Sequence, residues 1–167
     1  MIPSEVLAAV RLVVFDFDGV FTDNTVIVSQ DGTESVRCWR SDGLGLSRLA
    51  AAGVPACIVS TEKNPVVSVR AAKLRIECRQ GVDDKAQAVL ELCRDKGVDP
   101  RHAAFVGNDI NDIPAFGVVG VPIAVADAYP EVLPHAPHRT TRPGGLGAVR
   151  EVCDGIVAAR QKHLPGA

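Results

Sequence analysis

Short apolar runs alternate with stretches of helical periodicity along most of the 167-residue chain. Arg11-Leu12-Val13-Val14-Phe15-Asp16 is apolar at every position between its charged ends, the pattern of a strand buried on both faces. Residues 54–60, 102–107 and 121–125 repeat it. Helix signals lie between these runs. Residues 42–52 stop at Gly53. Asn64 and Pro65 offer an N-cap and a first-turn proline to 66–74. Asp83 is the expected cap of 84–96, where Ala86, Val89, Leu90 and Cys93 form one apolar stripe and Gly97 ends the run. A closing helix over about 146–161 follows the Gly144-Gly145 turn. Strands alternating with helices predict a parallel sheet covered on both faces, a three-layer α/β fold built as one domain over 1–167.

One segment departs from the alternation. Two β-rich runs, 25–29 and 35–39, flank Gln30-Asp31-Gly32-Thr33, and Asp-Gly in that setting predicts a β-hairpin over about residues 24–40. It directly follows the first strand, so it is expected to project as a flap over that strand's carboxyl end, where open α/β sheets hold their ligands.

Composition narrows the partners. With 47% hydrophobic and 23% charged residues the chain is ordinary globular material. A net charge of −2 offers no basic field, which argues against nucleic acid as a partner. No apolar run approaches the roughly 20 residues that span a bilayer, since Gly120 and Pro122 interrupt the longest, 118–126. The opening residues 1–5 lack a basic start, so a cytoplasmic location and no membrane partner are expected. Cys38, Cys57, Cys78, Cys93 and Cys153 are dispersed and never form a C-x-x-C pair, which reads as reduced thiols. His102, His135, His138 and His163 show no metal-ligand spacing.

Candidate chemistry begins at Phe15-Asp16-Phe17-Asp18-Gly19-Val20-Phe21-Thr22-Asp23. Strand alternation sends Asp16 and Asp18 to the same side, and like charges that close call for a cation or a shared proton. Three later features converge on the same sheet edge if the strands are parallel. Ser60 ends the second strand, where its hydroxyl and the following amides suit a phosphate oxygen. Lys85 opens a helix, the end a cation ordinarily avoids, which points to charge neutralisation. Gly107-Asn108-Asp109-Ile110-Asn111-Asp112 brings a cluster of oxygen donors suited to a hard cation such as Mg²⁺, with either Asn108 or Asp109 as the ligand beside Asp112.

In these segments the chain resembles the haloacid-dehalogenase-like phosphohydrolases. Asp16-Phe17-Asp18-Gly19 is similar to their first motif, Ser60 to the second, Lys85 to the third, and Gly107-Asn108-Asp109 through Asp112 to the fourth. The resemblance implies a Rossmann-like phosphatase fold, with Asp16 as nucleophile and Asp18 as acid and base. Ser60 and Lys85 would hold the phosphoryl group, and Mg²⁺ would be held among Asp16, Asp18, Asn108, Asp109 and Asp112. Only the hairpin lies between Asp16 and Ser60, which resembles the capless subgroup of 3-deoxy-manno-octulosonate 8-phosphate and 2-keto-3-deoxynonulosonate 9-phosphate phosphatases. Residues 16–24, 41–45 and 142–151 also match it. That subgroup implies a phosphorylated sugar acid as substrate. It also implies a homotetramer, with the hairpin and the C-terminal Gly-rich segment closing neighbouring sites. Ser60-Thr61-Glu62-Lys63 departs from the octulosonate pattern Thr-Gly-Arg-Lys, and a Glu there is more similar to the nonulosonate members, with Thr61 and Glu62 binding substrate. Asn108 replaces the family's usual Asp and removes one negative charge. Similar domains also end some acylneuraminate cytidylyltransferases, where they serve assembly with little catalysis; the presence of Asp16, Asp18 and Lys85 favours the enzyme.

Overall fold

The computed structural model describes residues 2–162, so Met1 and His163 lie outside the described residues. Six parallel strands form the central sheet: β1 (Leu12–Phe15), β4 (Ala56–Val59), β5 (Glu77–Arg79), β6 (Ala103–Gly107), β7 (Val121–Ala124) and β8 (His138–Arg139), in the order β5-β4-β1-β6-β7-β8. The chain runs outward from β1 to β4 and β5, then returns past β1 to β6, β7 and β8. The order therefore reverses around β1, and a crevice opens at the carboxyl ends of β1, β4 and β6, where such sheets bind ligands.

The connections between the parallel strands carry helices that flank the sheet. Helices α1 (Ser4–Ala9), α2 (Asp42–Ala51) and α6 (Ala148–Lys162) pack together, while α4 (Lys85–Lys96) packs with α5 (Ile113–Phe116); α3 (Val66–Leu74) lies against β5. All four residues of β1 are buried, as its unbroken apolar run predicts. Phe17 and Phe21 are also buried, and the Phe21 ring centroid lies 5.5 Å from that of Phe15 and 5.9 Å from that of Phe17. Each buried ring contributes about 1.5–3 kcal/mol, so the loop after β1 is anchored from below by Phe17 and Phe21, with Val20 buried beside them. That leaves Asp16 and Asp18 to the crevice.

The hairpin is present but shorter than expected. Its strands, β2 (Ile27–Val28) and β3 (Glu34–Ser35), pair antiparallel over two residues each, because both faces are exposed and no further strand extends the ladder. A bridge between Thr22 and Cys38 closes its base. Other boundaries also shift. Asp84, not Asp83, caps α4, its carboxylate accepting the Gln87 N–H, and α6 starts at Ala148. The edge strands β5 and β8 and the short α1 carry no apolar run long enough to announce them. The cysteines are all free, with Cys57, Cys93 and Cys153 buried. Among the described residues no helix is long and apolar enough to cross a membrane.

Candidate active site

Asp16 is the first residue past β1 and still belongs to the sheet through its N–H, which donates to the Val106 carbonyl at 2.9 Å. Its Oδ1 accepts the Phe17 N–H at 2.7 Å and its Oδ2 lies 2.9 Å from Lys85 Nζ. Lys85 Nζ lies 2.7 Å from Asp112 Oδ1, and none of these three side chains exceeds 6% exposure. The other Asp112 oxygen accepts the N–H groups of Asn108 and Asp109 at 2.8 and 3.2 Å. Two carboxylates thus hold an ammonium at the N-terminus of α4, where the helix dipole opposes it. Lys85 owes its place to them.

The charges are unevenly matched. Burial, then repulsion from Asp112, raises Asp16 to about 7 against the pull of Lys85. Burial alone would lower Lys85, but Asp16 and Asp112 outweigh it and hold the ammonium above its ordinary value. Burial, followed by the charge of Glu62, also raises Asp18, against Lys85 and a hydrogen bond with Thr22. One buried ammonium facing two buried carboxylates leaves room for a further positive charge.

The segment after β6 separates three candidates that the sequence left together. Asn108 is buried against the Asp16 loop: a Cβ at Gly19, where φ is +73°, would meet its Nδ2 at 2.0 Å. The Asp109 carboxylate instead caps the next turn, accepting the Ile110 N–H at 2.7 Å. Asp112 is committed to Lys85 and two backbone amides, and it lies so close to Gly107 that a Cβ there would meet its Oδ2 at 2.4 Å. Among the described residues no three His, Cys, Asp or Glu side chains converge as metal ligands. The remaining oxygen-bearing candidates are the side chains of Asp16 and Asp18 after β1 and of Asn108 after β6, whose loops meet where Asn108 packs against Gly19. Two carboxylates and an amide match what Mg²⁺ takes from protein, the remainder coming from water and phosphate.

Ser60 is buried at the end of β4, its Oγ accepting the Glu62 N–H at 3.1 Å. Backbone bonds from Ser60 to Arg79, Val82 to Ser60 and Gly81 to Glu62 fasten this loop to the one after β5. Thr61 is exposed, whereas Glu62 Oε1 accepts the Lys63 and Asn64 N–H groups at 2.6 and 2.7 Å. Glu62, Asp18 and the hairpin residue Glu34 line a cavity of about 280 Å³. A larger concavity of about 1040 Å³, between Trp39, Leu44 and α6, lies away from this chemistry.

Sequence reasoning missed the supports of the loop. Buried Thr22 Oγ1 accepts the N–H groups of Gly19 and Asn24 at 3.1 and 3.2 Å. The Gly144-Gly145 turn packs on the same loop within the chain. A Cβ at Gly144 would meet the Gly19 carbonyl oxygen at 1.8 Å, and Gly145 N–H donates to the Val20 carbonyl at 3.0 Å. Asp127 fixes that turn by accepting the Gly144 N–H at 2.8 Å. The adjacent glycines were the only available sign of so close an approach.

A buried carboxylate held by a lysine at the switch point of a parallel sheet, with a second acid two residues on, marks the candidate active site of an α/β protein. Residues 63–149 match the model of a family described as haloacid dehalogenase-like hydrolase. The 3-deoxy-D-manno-octulosonate 8-phosphate phosphatase KdsC of Yersinia pestis is 37% identical over 161 residues, 96% of this chain and 86% of that protein. A crystal structure of a putative HAD family hydrolase from Streptomyces avermitilis is 45% identical, with a TM-score of 0.86 over 89% of this chain and 86% of that one. The octulosonate phosphatase of Moraxella catarrhalis, solved with a magnesium ion, a phosphate ion and KDO, is 32% identical, with a TM-score of 0.90 over 95% and 92%. The chain belongs to the haloacid dehalogenase-like hydrolases. Its activity is that of a phosphoric monoester hydrolase.

Proposed function

We propose that this chain is a Mg²⁺-dependent phosphatase of a phosphorylated sugar acid, of the octulosonate 8-phosphate or nonulosonate 9-phosphate type. The observation that carries it is the Asp16–Lys85–Asp112 cluster beneath the crevice, with Asp18 beside it. Asp16, Asp18 and Asn108 would hold the cation, which when bound offsets the repulsion between an anionic nucleophile and a phosphate. Lys85 and Ser60 orient the phosphoryl oxygens. An Asp16 carboxylate oxygen bonds to phosphorus as the ester oxygen departs, taking its proton from Asp18. Water then attacks the phosphorus of the aspartyl phosphate, gives its proton to Asp18, and frees Asp16 and inorganic phosphate. The raised proton affinity of Asp18 suits both of its proton transfers.

Glu62 supports the nonulosonate side of the pair. An assembly-only role is not favoured, because the named relatives are phosphatases and the acid–lysine cluster is intact. Homotetramer formation is part of the proposal, supported by Val26, Ile27 and Val28, which stand 50%, 64% and 64% exposed on the hairpin. Phosphate release from the 8- and 9-phosphate ulosonates, with Mg²⁺ and with chelator, tests the reading. Metal-dependent release from either supports it. Release unaffected by chelator, or none from either substrate, refutes it.

A further inference from the structure

Asp16 is held by a lysine and a backbone amide, whereas Asp18, two residues on, has neither among the described residues. Its hydrogen-bond partner is the Thr22 side chain. Thr22 is fully buried, and its Oγ1 already accepts two N–H groups, from Gly19 at 3.1 Å and from Asn24 at 3.2 Å. A hydroxyl has two lone pairs and one proton. With both lone pairs taken, the proton is what remains for Asp18, so the hydroxyl donates and the carboxylate accepts. Three contacts keep that donor in place. The Thr22 N–H donates to the Phe17 carbonyl at 3.4 Å, and a bridge joins Thr22 to Cys38 at the base of the hairpin. The Gly144 turn packs so closely that a Cβ there would meet the Thr22 carbonyl oxygen at 3.1 Å.

Resting on the phosphatase reading, we propose that Thr22 is a positioning residue for proton transfer to the leaving group: its hydroxyl holds one oxygen of Asp18 and leaves the other to carry the proton. As an Asp16 oxygen bonds to phosphorus and the ester bond breaks, that proton passes to the departing oxygen and Asp18 becomes a carboxylate. A hydrogen bond to a charged acceptor is shorter and stronger than one to a neutral acid. The Thr22 bond therefore tightens as the proton leaves, and it supports the transfer as well as aiming it. Thr22 acts through Asp18 alone.

The test compares two leaving groups in the full chain with Mg²⁺. An ulosonate 8- or 9-phosphate releases an alkoxide oxygen that needs the proton, whereas p-nitrophenyl phosphate releases a phenolate that departs without one. The ratio of their kcat/KM values covers the steps up to alcohol release, so the later work of Asp18 on the aspartyl phosphate stays out of it. Thr22→Val keeps the shape and removes the hydroxyl. It should lower kcat/KM about 30-fold for the ulosonate phosphate and no more than about 3-fold for p-nitrophenyl phosphate, a share of the roughly 10²–10⁴ that a positioned acid supplies. Thr22→Ser should keep the parent ratio. With Asp18→Asn already in place, Thr22→Val should not move the ratio further, because the group it positions is gone. Thr22→Ala, with room for a water on the two amides, serves the same comparison if circular dichroism shows Thr22→Val unfolded. An equal loss on both probes, an unchanged ratio in the folded variant, or a further shift in the Asp18→Asn background overturns this inference and leaves the phosphatase standing. A parent that cleaves p-nitrophenyl phosphate but neither ulosonate phosphate overturns it together with the sugar-acid reading. No release from any probe removes the phosphatase itself and the inference with it.

Discussion

Asp42 opens α2 almost fully buried, and only one of its oxygens is used. Its Oδ1 accepts the Arg150 N–H at 3.2 Å, whereas the buried Oδ2 has no hydrogen-bond partner. Burial raises the carboxyl from 3.8 to about 6, against the pull of that bond and of Arg70 and Arg150. In the unfolded chain the group keeps its ordinary value. Its contribution to stability is therefore fully present below the unfolded pKa and is lost as pH rises through about 6, a total of roughly 3 kcal/mol. Asp42→Asn has no charge to bury and keeps a carbonyl oxygen for Arg150, but it adds an amide N–H with no acceptor, at about 1–2 kcal/mol. Above the window the variant should be more stable than the parent by about 1–2 kcal/mol; below it, less stable by a similar amount. Urea unfolding followed by circular dichroism on both sides of the window measures the difference. A stability difference independent of pH, or one favouring the parent as pH rises, refutes the reasoning.

Other consequences concern the site. Gly19→Ala, at φ +73° and with its Cβ 2.0 Å from Asn108 Nδ2, should cost about 2–3 kcal/mol and lower kcat/KM by displacing Asn108 or the loop. Gly53→Ala, at φ +75° with nothing within 4 Å, should cost about 1 kcal/mol and leave kcat/KM unchanged, so equal kinetic effects of the two would contradict the loop geometry. Lys85→Met strands two buried carboxylates, with an expected loss of about 3 kcal/mol or more in urea unfolding and of all measurable turnover. Asn108→Asp restores a charge at the cation site and should lower the Mg²⁺ concentration for half-maximal rate, whereas Asp109→Asn should not move it. The reverse result in a metal titration would reassign the ligand.

What the sequence made legible, and what it did not, follows from burial. Strands β1, β4, β6 and β7 are interior, so their continuous apolar runs locate them to within one or two residues. The edge strands β5 and β8 are two or three residues long, with charged side chains, and carry no such pattern. Asp16, Asp18, Ser60 and Lys85 were visible because each sits at the boundary of a strongly patterned element. The different surroundings of Asn108, Asp109 and Asp112 were not, since they depend on which carboxylate turns to a backbone amide and which side chain packs against the Asp16 loop. The buttress from Gly144 to Gly19 joins residues far apart in the chain, and only the adjacent glycines hinted at it. The carboxylate-lined cavity was half visible: Glu62 stood out against the octulosonate pattern, but no local pattern sets Glu34 of the hairpin beside it.

The most direct test of the account is phosphate release by the parent and by Asp16→Asn in parallel, with Mg²⁺ present. In the variant the Lys85–Asp112 pair remains, so the fold should persist in circular dichroism. The account predicts turnover by the parent and none by the folded variant. Parent-like turnover by Asp16→Asn would contradict it.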